Sequence, residues 1–141
     1  MKKILILLAL VSLASVACGQ QQNSGQGVEF LEKPMAELMA QSQAEGKLIF
    51  VDVYATWCGP CKYMASNVFT QAKAGDYFNA TFVNAKFDAE KGEGIDLARK
   101  YRVQAYPTFL ILDSGGKEVA RIVGGDEVDG FIQKVKDVLP K

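Results

Sequence analysis

Cys58 and Cys61 stand two residues apart in YATWCGPCKYM, residues 54–64. Cysteines at that spacing support three chemistries: half of a metal clip, a short structural disulfide, or a reversible dithiol. A structural zinc site takes four ligands. The chain has three cysteines and no histidine, so a zinc site built on this pair lacks partners. A permanent disulfide is compatible with an exported protein, but it would close a tiny loop and contribute little stability. A reversible dithiol needs an attacking and a resolving sulfur on one short frame. If a helix begins at Cys58, its sulfur meets unpaired N–H groups and the positive end of the helix dipole. Both stabilise a thiolate and lower the thiol pKa. Cys61 then falls about one turn later and is expected to be the more buried, resolving sulfur. Pro60 falls just inside the helix, where it costs little. Trp57 and Lys62 around CGPC make the redox reading stronger than a lone CxxC would.

Asp52 lies six residues before Cys58, inside the apolar run LIFVDVY, with no charged neighbour. Burial disfavours a carboxylate, so its pKa is expected to rise. The bland alternative is a core aspartate whose hydrogen bonds are satisfied.

These residues need a frame. PMAELMAQSQAEG predicts a helix over 34–46, with Pro34 in its first turn and Gly46 at its end. KLIFVDVYA predicts a strand buried on both faces. Helix is expected again after Cys58, through KYMASNVF, and in AKAGDYFNA. TFVNAKFD reads as a second strand and GIDLARKY as a short helix. TFLIL and EVARIV read as strands joined by the turn Asp113-Ser114-Gly115-Gly116. DEVDGFIQKVKDVL carries Val128, Phe131, Ile132, Val135 and Leu139 on one helical stripe, with Asp126 as N-cap. Helix-linked strands imply parallel pairing, and the final hairpin adds an antiparallel edge. Gly92-Glu93-Gly94 lacks the third glycine of a dinucleotide loop. A chain of 141 residues, 49% apolar with net charge zero, suggests one domain with a core and offers no basic surface for nucleic acid.

The N-terminus follows different rules. Lys2 and Lys3 precede ILILLALVSLASVA, which predicts a secretory signal over residues 1–17. The apolar run is short for a membrane span, although a permanent anchor helix is the competing reading. Ser15-Val16-Ala17-Cys18-Gly19 resembles a bacterial lipobox, in which the cysteine is acylated and becomes the first mature residue. Ser15 stands where such signals usually carry leucine, and ordinary cleavage leaving a free Cys18 is the alternative. Lipidation would resolve the odd cysteine count and hold the protein at a membrane. Residues 18–27 would then be the lipidated cysteine and a flexible tether, reaching about 30 Å when extended, with the folded domain over 28–141. Cleavage removes Lys2 and Lys3 from the 16 basic residues and none of the 16 acidic ones, which leaves a net charge of −2.

WCGPCK resembles the active site of the thioredoxin family, and the likeness extends over roughly residues 47–139. Asp52 matches that family's buried aspartate. Tyr106-Pro107-Thr108 resembles its cis-proline loop, Ala85-Lys86-Phe87-Asp88 the strand with its partly buried lysine, and Gly124 the glycine beside its substrate groove. Two features depart from the pattern. SNVFTQAKAGDYFN is longer and resembles the C-terminal domain of membrane-embedded disulfide reductases, and Tyr106 replaces the usual isoleucine.

The resemblance implies an α/β thioredoxin-like fold, with a central mixed sheet and helices on both faces. It implies thiol–disulfide exchange on protein substrates without a bound cofactor or metal, Cys58 attacking, Cys61 resolving and Asp52 taking the Cys61 proton. Lys86 would tune Asp52, unless it is a plain surface lysine. Trp57 would cover the sulfurs and contact partners, or serve packing alone. Gly59, Pro60, Tyr106, Pro107, Thr108 and Gly124 would support or line the substrate site. CGPC resembles the reducing members, so the expected function is protein-disulfide reduction by a monomer. The signal and Cys18 place it in a bacterial envelope, facing the periplasm beside a membrane-embedded electron donor. The alternatives are an oxidase or isomerase, or a lipid-anchored binding module that keeps the disulfide as a brace.

Overall fold

A computed structural model describes residues 25–141. The signal segment, Cys18 and most of the tether lie outside the described residues. The elements run α1 (Met35–Glu45), β1 (Leu48–Tyr54), α2 (Gly59–Tyr63), a π-helical turn (Met64–Val68), α3 (Ala72–Thr81), β2 (Phe82–Asp88), α4 (Glu93–Lys100), β3 (Thr108–Leu112), β4 (Glu118–Val123) and α5 (Val128–Val138). Gly46 ends α1 in the left-handed conformation, φ 64°, which glycine adopts without the penalty of a Cβ.

The sheet order is β2-β1-β3-β4. β1 and β2 are parallel, whereas β3 is antiparallel to β1 and β4 antiparallel to β3. Helix linkage therefore predicts parallel pairing correctly for β1–β2 and wrongly for β3. An eight-residue helix rises about 12 Å, but a seven-residue strand spans about 23 Å. α4 is too short to return the chain to the start of the sheet, so β3 enters from the end where β1 finishes. Thr108 consequently pairs with Val53, and Pro107 lies at the same edge as the Cys58 loop.

Strand alternation divides the core. Ile49, Val51 and Val53 join Leu38 of α1 and Leu97 of α4 in an aliphatic cluster. Phe50 points the other way, into Phe69, Phe78, Phe82, Phe109 and Phe131. The rings of Phe50 and Phe78 are 4.6 Å apart, and those of Phe109 and Phe131 4.7 Å. Each fully buried phenylalanine contributes about 1.5–3 kcal/mol by burial, and an aromatic pair adds about 0.5–1.5 kcal/mol. Asp52, two residues after Phe50, lies on this aromatic face.

Two boundaries differ from expectation. The chain engages the domain at Gly27 rather than Val28: Asn79 Nδ2 donates to the Gly27 carbonyl at 3.1 Å, and a Cβ on Gly75 would lie 1.9 Å from the Gln26 carbonyl oxygen. Leu31 then bridges to Ala85 on the edge of β2. Asp126 is not the N-cap of α5. Glu127 holds that position without a side-chain cap, while the Asp126 carboxylate accepts from the Glu127 N–H at 2.8 Å and pairs with Lys134 at 2.7 Å. Lys134 and the Glu127 N–H hold this carboxylate beside Gly130 in the first turn of α5.

Candidate active site

β1 delivers the chain to Ala55, whose carbonyl accepts the Cys58 N–H at 3.2 Å. That turn leaves Cys58 extended at the N-cap of α2, where its Sγ accepts the Cys61 N–H at 3.2 Å. Cys58 and Cys61 form a disulfide with Cα atoms 5.3 Å apart. Both residues are 4% exposed, so the expected greater burial of Cys61 is not found. Two bonded sulfurs share one environment, and here Ala55, Tyr54 and Tyr106 pack around both.

The asymmetry lies in what surrounds the pair. Cys61 faces a cavity of about 220 Å³ lined by Asp52, Tyr54, Thr56, Lys62 and Lys86. Asp52 is 5% exposed and its Oδ1 has no hydrogen-bond partner among the described residues. Burial raises its pKa from 3.8 to about 7, and the charge of Lys86 opposes that rise. Lys86 is Asp52's neighbour across β2, and its exposed ammonium lies 6.0 Å from the Phe30 ring.

A groove of about 600 Å³ opens beside the cysteine loop, lined by Gly59, Pro60, Tyr63, Tyr106, Gly124, Gly125, Asp126 and Glu127. The Tyr106–Pro107 peptide bond is cis. The Pro107 carbonyl accepts the Gly124 N–H at 2.9 Å, which ties the proline loop to the end of β4. Thr108 is buried and its hydroxyl donates to the Ala105 carbonyl at 2.8 Å, so it braces this loop. Trp57 is 65% exposed. Its Nε1 donates to Glu90 at 2.8 Å and its ring meets Tyr106 edge-on at 6.0 Å. Tyr106 thus packs on the sulfurs, and Trp57 stands beside them as an exposed apolar surface.

The structure gathers Asp52, Cys58, Cys61, Lys86, Trp57, Gly59, Pro60, Tyr106, Pro107 and Gly124 at one edge of the sheet. It adds Tyr63, Glu90 and Glu127, which sequence reasoning missed. The Tyr63 hydroxyl donates to Glu127 Oε1 at 2.7 Å across 64 positions, and that bond holds the phenol above its ordinary pKa. No local pattern marks a pair so distant in sequence. Among the described residues, no group of three His, Cys, Asp or Glu side chains could hold a metal ion.

The thioredoxin family model matches residues 29–137. A candidate disulfide-isomerase from Bacteroides thetaiotaomicron, solved in solution, is 45% identical with a TM-score of 0.73, over 81% of this chain and 94% of that one. A protein disulfide-isomerase of Triticum aestivum is 37% identical over 93 residues, which is 66% of this chain and 18% of that protein. The thiol:disulfide interchange protein DsbD of Yersinia pestis (strain Pestoides F) is 32% identical over 124 residues, covering 83% of this chain and 20% of DsbD. The match thus spans about a fifth of the length of these last two relatives.

Proposed function

The chain belongs to the thioredoxin family and carries a CxxC pair of the thiol–disulfide oxidoreductase type, and on that premise we propose that it reduces protein disulfides outside the cytoplasm. The Cys58 thiolate attacks one sulfur of a substrate disulfide, forming a mixed disulfide and expelling the other sulfur as a thiolate. Cys61 passes its proton to Asp52 and attacks Cys58 Sγ, which frees the second substrate thiolate. Two electrons leave the dithiol, the substrate gains them, and the chain ends as the Cys58–Cys61 disulfide. A membrane-embedded dithiol donor then restores the pair.

The observation that carries this reading is Asp52: a buried carboxyl with one free oxygen, sharing a cavity with Cys61, with a pKa of about 7. A group with that pKa accepts and releases protons near neutrality. A disulfide kept as a brace would have no use for it. The reducing direction rests on the CGPC motif. The extracytoplasmic site rests on the signal-like residues 1–17 and on lipidation of Cys18, whose tether would raise the local concentration of a membrane donor. Isomerase action is the second reading, favoured by the 45% identity to the Bacteroides candidate disulfide-isomerase, and oxidase action is the remaining alternative.

The reduction potential of the Cys58–Cys61 pair separates these readings. A value near thioredoxin's, about −270 mV, supports reduction. One near about −180 mV would favour isomerisation, and one near about −120 mV oxidation. Mass spectrometry of the mature N-terminus tests the anchor. An unmodified Cys18 would remove it.

A further inference from the structure

We propose that the groove beside the sulfurs selects protein substrates whose reacting cystine is flanked by lysine or arginine, with Glu127 as the selecting group. The proposal rests on the exchange chemistry above and adds the substrate's charge to it. Among the described residues, the only charged ones lining the groove are Asp126 and Glu127. Asp126 is neutralised locally, since Lys134 lies 2.7 Å from it and the Glu127 N–H donates to it. Glu127 accepts the Tyr63 hydroxyl but has no ion-pair partner among the described residues. Tyr63 holds that carboxylate at the groove lip, so less rotamer freedom is lost when a cation docks against it.

Trp57, the residue before Cys58, holds a second carboxylate in the same manner. Glu90 holds the Trp57 indole at 2.8 Å and also lacks a cationic partner among the described residues. A substrate segment reaching Cys58 therefore meets two carboxylates without cationic partners among the described residues, Glu127 in the groove and Glu90 on the indole of the residue before Cys58. The groove is open at two of its glycines: a Cβ at Gly59 or Gly124 would meet no atom within 4 Å. Lys62 faces the Asp52 cavity instead of the groove. Flanking cations gain attraction on approach and in the mixed disulfide, whereas flanking carboxylates meet like charge.

The test uses three synthetic disulfide peptides, identical except for lysine, glutamine or glutamate beside each half-cystine. The second-order rate at which each oxidises the reduced full chain is followed by Trp57 fluorescence. The lysine peptide is expected to react about tenfold faster than the glutamate peptide at low salt, with the gap closing at about 1 M salt. Glu127→Gln should cut that ratio to about threefold. Glu45→Gln, the same charge change at the far end of the sheet, should leave it near tenfold. Equal rates for the three peptides, or equal losses of preference in the two variants, would overturn the selection while leaving the exchange chemistry standing. Failure to react with any of the peptides would overturn both.

Discussion

The two sides of the disulfide treat a carboxyl group in opposite ways. Behind Cys61, Asp52 is buried with one oxygen unpartnered, and desolvation raises its pKa to about 7. Beside the cysteine loop, Asp126 lies in an open groove, where Lys134 and a backbone N–H hold its pKa below the ordinary aspartate value. Burial and partners, not residue type, set the difference. The closed side thereby holds a carboxyl with a pKa of about 7, whereas on the open side Asp126 is matched by Lys134 and Glu127 is left as the groove carboxylate without an ion-pair partner among the described residues. A redox pair at the boundary can use both, because exchange needs a protein partner on one side and a proton acceptor on the other.

The largest effect should come from removing the boundary itself. Cys58→Ser is expected to abolish exchange, whereas Cys61→Ser should accumulate mixed disulfides visible on non-reducing gels. Faster alkylation of Cys61 than Cys58 in the reduced wild type, at mildly acidic pH, would reverse the roles.

Asp52→Asn removes the proposed proton acceptor and the buried ionisable group together. A carboxyl whose pKa is raised on folding binds its proton more tightly in the folded state. The resulting penalty is absent below the unfolded pKa of 3.8, grows as pH rises, and is complete above about 7. The shift corresponds to about 4 kcal/mol, but burying an amide with unmet hydrogen bonds costs about 1–3 kcal/mol. The variant should therefore be roughly 1–3 kcal/mol more stable than wild type at pH 8 and, with the ionisation penalty gone, roughly 1–3 kcal/mol less stable below about pH 4. Urea unfolding across this range checks it, and resolution of a mixed disulfide should slow. A variant destabilised at every pH with unchanged resolution would make Asp52 purely structural.

Gly125→Ala acts on the open side only. A Cβ there would lie 2.8 Å from Met64 Sδ, beneath the groove. Methionine adapts more easily than backbone, so a loss of about 1 kcal/mol is expected, with slower mixed-disulfide formation and an unaltered pH dependence of resolution. Slowed resolution instead would show that the two sides are mechanically coupled.

The closed side was more legible in the sequence than the open one. Asp52, Cys58 and Cys61 lie within ten positions, so an apolar strand followed by a helix start locates all three. The groove is assembled from α2, the proline loop and the β4–α5 turn. Its Tyr63–Glu127 bond has no local signature, and Asp126 read as a helix cap because its link to Lys134 is not visible in the spacing of an N-cap. The antiparallel entry of β3 was missed for a similar reason: it depends on the reach of α4 compared with the strand, which apolar periodicity does not encode. The aromatic face was legible only as buried strands and an amphipathic last helix. That five phenylalanines meet around Phe50 depends on how the helices and the sheet are brought together.

Lys86 offers the finest discrimination on the closed side. It neighbours Asp52 across β2, and its charge lowers a pKa that burial raises. Its ammonium is exposed, so water screens its interaction with the buried carboxylate, and about 1 kcal/mol or less is expected from it. Lys86→Met keeps the apolar stem and removes the charge, which should move the Asp52 pKa further up. The Asp52 penalty would then go on growing to higher pH and end larger, so the variant should be slightly less stable than wild type above about pH 7 and indistinguishable below about pH 4. The pH midpoint of mixed-disulfide resolution should shift upward by the same amount, whereas the preference among charged peptides should stay where Glu127 sets it. Infrared titration of the Asp52 carboxyl in both proteins measures the shift directly. An unmoved midpoint with an altered peptide preference would place Lys86 on the substrate side of the disulfide and dissolve the division between the two cavities.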